Sequence, residues 1–169
     1  MVEFRLPAES SGEIIAIDQF EAAPVRAGIA YWRRLSGTRR FPAKTEIVPR
    51  ALGALLNNVI LIRVLEDGAD YEYRIVGDAL VLGFNENFAG RRVSDIIASA
   101  PKFGLGLRLL YETVRTSGEP LGYRGRVGRD LKDAEFDSHE NVLLPFGPGE
   151  RAVDHLLVVS AIGPRARPG

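Results

Sequence analysis

The chain has 169 residues, 46% of them hydrophobic and 26% charged, and its 22 Lys and Arg balance its 22 Asp and Glu. That length fits one domain with a short extension at each end, and zero formal charge excludes a generic polyanion binder, so nucleic acid is not an expected partner. Cysteine is absent, which excludes a disulfide framework, a Cys-based zinc site, an iron–sulfur cluster, a cysteine nucleophile and a covalent flavin–thiol adduct.

Residues 1–23 read as a loosely ordered lead-in; Met1–Ser10 carries no apolar signal core. Val25, Ile29 and Trp32 recur at i, i+4 and i+7, which predicts a short amphipathic helix closed near Gly37. Pro49 opens a second helix, with Leu52, Leu55 and Leu56 on one face. Val59–Leu65 is β-rich with apolar side chains on both faces, the pattern of a central strand. A turn at 66–70 containing Asp67-Gly68 leads into a strand in which Tyr71, Tyr73 and Ile75 alternate with Glu72 and Arg74. Asp78 is the expected N-cap of a short helix ending at Gly83, and Ser94 the expected cap of the next helical turn. Pro101–Ser117 is the longest helix, with Phe103, Leu107, Leu110, Tyr111 and Val114 in one stripe and Gly118 as its stop. Three strands follow, Leu121–Val127, Phe136–Phe146 and Val153–Ile162, and 163–169 reads as a disordered tail.

Several residue clusters invite a chemical reading. Gly147-Pro148-Gly149-Glu150-Arg151-Ala152 spells a dinucleotide fingerprint, but a β-pattern strand follows it where the pyrophosphate needs a helix N-terminus, so it reads as a turn. The pairs Arg33-Arg34, Arg39-Arg40 and Arg91-Arg92, with Arg124, Arg126 and Arg129, read as solvated faces and salt bridges because acidic residues match them in number. Arg74 reads as a structural ion-pair partner. His139 and His155, the two imidazoles, lie in strand patterns and read as hydrogen-bonded strand histidines, so no metal site is expected. No Ser sits in a strand-to-helix nucleophile turn, so no catalytic residue is named. No apolar run approaches the roughly 20 residues of a membrane span; a cytoplasmic protein is the expectation.

A two-strand hairpin, intervening helices and a three-strand meander make an α+β fold. Its five-stranded antiparallel sheet should have the helices of 78–117 across one face and Val59–Leu65 beside the last strand. Together with Tyr31-Trp32, Phe41-Pro42-Ala43-Lys44, Ile47-Val48-Pro49, Tyr73-Arg74-Ile75-Val76-Gly77, Ala89-Gly90-Arg91 and Leu143-Leu144-Pro145, this layout resembles the PAS-domain superfamily. Within it, the chain resembles a family of short stand-alone PAS-like proteins of alphaproteobacteria. The resemblance spans about residues 24–162. Two positions depart from the family pattern: Asp78 follows the strand glycine where Thr or Ser is common, and Lys44 stands where Arg is usual.

The resemblance implies a sensory or protein-interaction module in signalling, with no catalysis, acting through a ligand, a signalling partner or both. It implies a small apolar pocket between sheet and long helix, for which Tyr73, Ile75, Phe84, Phe103, Leu107 and Tyr123 are the candidate lining. Haem is disfavoured, because 78–117, where PAS domains of that kind carry the axial ligand, holds no His. Such domains commonly pair through flanking helices, so Val25, Ile29 and Trp32 are the candidate homodimer interface, with packing onto the chain's own sheet as the alternative. The alternative function is an enzyme or small-molecule carrier on a cone-shaped α+β fold; the helical stretch interrupting the strands favours the PAS layout.

Overall fold

The computed structural model describes residues 12–126 and 136–164. Its element order is β1 (Glu13–Ile15), α1 (Ala23–Ser36), α2 (Pro49–Leu52), β2 (Val59–Leu65), β3 (Asp70–Val76), α3 (Asp78–Phe84), α4 (Val93–Ser99), α5 (Pro101–Ser117), β4 (Leu121–Arg126), β5 (Phe136–Phe146) and β6 (His155–Pro164). The strands form a single antiparallel sheet in the order β1-β4-β5-β6-β2-β3. The sheet therefore has six strands, one more than the sequence pattern predicts. The extra one is β1, inside the supposed lead-in, where Ile14 pairs with Tyr123 and Ile15 with Gly122. A strand of three residues held by backbone pairing leaves almost no side-chain periodicity to read.

β2 lies between β6 and β3, and Val59, Ile60, Leu61 and Ile62 are all buried. Its two neighbours come from very different distances along the chain: Ile60 pairs with Val158 and Leu61 with Leu157 of the last strand on one side, and Ile60 with Val76 of the next strand on the other. Antiparallel partners share a face. One face carries Ile60, Ile62, Tyr71, Tyr73, Leu143, Leu156 and Val158, and the other Val59, Leu61, Val142, Leu144, Leu157 and Val159.

The first face is covered by the helices between β3 and β4. α5 runs the length expected of it and ends at Gly118, whose φ of +65° is the left-handed conformation a helix stop requires. At the two short helices the expected caps are displaced by a residue or two. Gly77 precedes α3, with Asp78 already helical, and Asn85 rather than Gly83 ends it; Arg92 occupies the cap of α4, leaving Ser94 inside its first turn.

The second face is covered by α1. Val25, Ile29 and Trp32 are all buried within this one chain, so the candidate dimer stripe is spent on its own sheet, the alternative outcome. The close fit has a specific cause at Gly28, where a Cβ would stand 2.5 Å from Val159 Cγ2. Trp32 adds a polar anchor. Pro145 lies beyond Leu121↔Leu143, the last β4–β5 pair at that end, so β4 supplies no donor to its carbonyl. Trp32 Nε1–H donates to that oxygen at 2.9 Å in the buried interior. The helix thereby completes the hydrogen bonding of a strand that has outrun its neighbour.

At the ends, β6 continues through Gly163 and Pro164, which the sequence reading placed in the tail. Val127, Arg129, residues 1–11 of the lead-in and 165–169 of the tail lie outside the described residues. Among the described residues no helix is long and apolar enough to cross a membrane.

Replacing Trp32 by Phe keeps most of the apolar contact but strands a buried carbonyl. Trp32→Phe should lower unfolding free energy by about 1–3 kcal/mol, read as an earlier urea midpoint by circular dichroism; an unchanged midpoint would show that the bond does not anchor α1.

Candidate functional site

Strand β3 presents Tyr71 and Tyr73 to the helix-covered face, both buried. The alternation then breaks. Leu61 pairs with Ile75 but Ile62 pairs with Tyr73, so Arg74 is an extra residue, a β-bulge that shifts the phase of the strand by one. Ile75 consequently turns away from the helices and is 44% exposed, whereas a regular strand would put it beside Tyr73. It does not line the site. Arg74, the bulged residue, does make an ion pair, but with Glu72 of its own strand at 2.9 Å and not with a carboxylate on an adjoining one.

The remaining candidates divide. Tyr73 packs on Phe88 with ring centroids 6.0 Å apart, Phe88 on Phe84 at 5.1 Å, and Phe84 on Phe103 at 6.0 Å. Leu107, one turn along α5 from Phe103, packs against the same core. Tyr123 does not join them. It stands on β4, four strands from β3, or about 19 Å at ordinary strand spacing. There it neighbours the His139 ring at 5.7 Å. The sequence pairs these tyrosines only because both alternate inward; the strand order that separates them is a long-range property.

Two members of the cluster escaped the sequence reading. Phe88 is buried although it sits in the polar stretch 85–92, where a lone aromatic was the one available signal. Tyr111 was assigned to the apolar stripe of α5, but its hydroxyl lies 2.8 Å from that of Tyr73, with both groups buried. Burial pushes both phenols well above their ordinary range, since neither anion would be solvated. They are neutral hydrogen-bonding groups at the floor of an apolar cluster. Its outer members, Phe84, Phe103 and Leu107, are only half-buried.

Beside this cluster, charged groups tie the helices to the β2–β3 hairpin. Tyr71 donates its hydroxyl hydrogen bond to Glu112, and burial followed by that carboxylate raises its pKa. Arg115 holds the Glu112 carboxyl below the ordinary carboxylate range against the opposing effect of burial, and reaches Asp67 at 3.3 Å. Asp70 accepts from the Ser94 hydroxyl at 2.5 Å, from the Tyr71 N–H at 2.9 Å and from Arg108 at 3.3 Å. Burial alone would raise the Asp70 pKa, but these donors together lower it.

The histidines sit apart from the cluster. His139 shares a hydrogen bond with Asn141, and burial pushes its pKa down to about 4, so it is neutral at pH 7. His155 contacts Asp154 at 2.9 Å. On the α1 side of the sheet, an open groove of about 460 Å³ is lined by Glu21, Ala22, Arg124, Glu140, Ala161 and neighbouring residues. Arg124 is committed there to Glu140 at 2.8 Å; the Arg126 side chain and Arg129 lie outside the described residues. Residues 147–150 form the turn before β6, with no helix after the glycines.

Residues 20–103 match a family model described as PAS domain. The chain is a PAS-superfamily protein over that stretch, which runs from Phe20, just before α1, into the first turn of α5. No curated protein and no solved structure matches.

The paired hydroxyls make a double-mutant test. Tyr73→Phe and Tyr111→Phe should each cost about 1–3 kcal/mol by leaving one buried hydroxyl unpartnered, while the double variant should lose clearly less than the two singles combined. Additive losses in urea unfolding would mean that the hydroxyls do not satisfy each other.

Proposed function

We propose that the chain is a non-enzymatic PAS-type module that senses a small apolar ligand between its sheet and α3–α5, and passes the signal to a protein partner. The observation that carries this reading is the Tyr73–Phe88–Phe84–Phe103 cluster, aromatic throughout, floored by a buried pair of neutral hydroxyls and half-buried at its outer end. Binding sites for small molecules have that make-up, mostly apolar with a few placed polar groups. The family match, which takes in Tyr73, Phe84, Phe88 and Phe103 but ends before Tyr111, supports a sensory or interaction role.

The cluster and the hairpin are mechanically linked. Tyr73 bonds to Tyr111 on α5, and the next pair along, Tyr71 and Glu112, joins the same two elements. A ligand that pushes Phe84 and Phe103 apart therefore loads α5, and through Arg115 and Asp67 the β2–β3 turn. The cluster consists of aromatic rings, two neutral phenols and Leu107, with the Arg91 guanidinium over the Phe88 ring at 5.5 Å, a set that supplies binding contacts and includes no general base among the described residues. Self-association through Val25, Ile29 and Trp32 forms no part of this reading, since those side chains are buried in the chain itself.

Native mass spectrometry of the purified full chain, before and after incubation with flavin mononucleotide, protoporphyrin IX, indole and palmitate, tests the ligand. The reading expects a one-to-one adduct with an apolar or aromatic compound, lost in a Phe103→Trp variant that keeps the wild-type circular dichroism. A chain that stays bare with all of them, across several preparations, would overturn the ligand-sensing role.

A further inference from the structure

The chain as a whole is neutral, yet its charge is unevenly distributed. Residues 23–52 carry Arg26, Arg33, Arg34, Arg39, Arg40, Lys44 and Arg50 against one acid, Glu46. Arg39 is neutralised by Glu46 at 2.7 Å, and Arg40 faces Glu119 and Glu150. The three arginines of α1 are different. All are exposed, and none has a carboxylate partner among the described residues; Arg34 lies over the Tyr31 ring at 5.9 Å.

Their placement follows from the helix itself. With Val25, Gly28, Ile29 and Trp32 turned into the sheet, the outward arc of α1 consists of Ala23, Arg26, Ala27, Ala30, Arg33 and Arg34. At 100° per residue, Arg26 and Arg33 stand together on one flank of the row Ala23, Ala27 and Ala30, and Arg34 closes that row at its C-terminal end. The fourteen residues of α1 extend this surface over about 21 Å. It is a shallow alanine track that a second backbone can approach closely, bordered by guanidinium groups that match carboxylates in geometry.

We infer that the outer face of α1 is a docking surface for an acidic segment of a partner protein, which rests on the reading of the chain as an interaction module. Charge complementarity carries the assignment. An anionic membrane fits less well, because interfacial helices need large apolar side chains to insert, and those of α1 are turned into the fold, Val25, Ile29 and Trp32 onto its own sheet and Tyr31 beside Val48. A nucleic acid fits less well, because no aromatic side chain is exposed among these arginines and the rest of the chain carries the compensating negative charge.

Fluorescence anisotropy with a labelled helical peptide of repeating Glu-Ala-Ala-Glu units tests the inference on the full chain. Phosphatidylserine vesicles and single-stranded DNA serve as competing probes at the same ionic strength. The expected result is salt-sensitive peptide binding. An Arg26→Glu/Arg33→Glu variant should weaken it by about tenfold or more. An Arg74→Glu/Arg92→Glu variant, with the same change in net charge at the β3 edge, should leave it within about threefold. No peptide binding, equal losses in both variants, or tighter α1-dependent binding of vesicles or DNA would each overturn the docking surface. A chain that binds no peptide but still takes up an apolar ligand by native mass spectrometry loses this surface and keeps the sensory module.

Discussion

The pairing of β2 with β6 is the constraint on which the rest of the structure depends. β2 is apolar on both faces, so it is stable only as an interior strand with a layer on each side. The hairpin turn gives it β3 at once, but its second neighbour must come from about a hundred residues further along, where Leu156, Leu157, Val158 and Val159 supply another strand buried on both faces. Joining them makes one sheet from the hairpin and the later meander. The loop closure this requires is offset by burying two of the most apolar segments of the chain against each other. The family match stops in the first turn of α5, so the matched region's own central strand is completed by a strand outside the match.

Both covers of the sheet follow from that seam. The chain between β3 and β4 has to cross from one edge of the sheet to the other, and α3, α4 and α5 do so over the face that carries Tyr71 and Tyr73. α1 fills the opposite face, close enough at Gly28 and Trp32 to act as a structural layer. The candidate site and the basic surface thus lie on opposite sides of one sheet. Their properties have different origins: the site comes from what α5 and β3 bury, and the basic surface from what α1 leaves outside after its apolar stripe is used.

Much of this was legible in the residues, wherever local pattern and burial coincide. Val59–Leu65 announces a central strand because, Arg63 apart, its side chains are apolar on both faces. Pro101–Ser117 reads from end to end because its stripe, its opening proline and its closing glycine agree. What was not legible depends on distance or on single-residue irregularity. The stripe of Val25, Ile29 and Trp32 states that it must be buried but not against what; the sheet of its own chain receives it. Ile75 has the right period for the site, and one bulged residue at Arg74 reverses its direction. Tyr123 shares an alternation with Tyr73 but stands four strands away. β1 is too short to have a period. Phe88 and the Tyr111 hydroxyl became part of the site only once α3 and α5 were placed against β3.

Native-state hydrogen exchange across the described strands tests the central claim most directly. If the β2–β6 seam holds the two halves together, the strand-paired amides of β2 and β6 around Ile60, Leu61, Leu157 and Val158 should exchange only through global unfolding. They should share one free energy, equal to that from urea denaturation, while α3 and the β2–β3 turn open more readily. Exchange at the seam through a lower-energy opening, with β2–β3 protected independently of β4–β6, would contradict the account and make the two halves separate folding units.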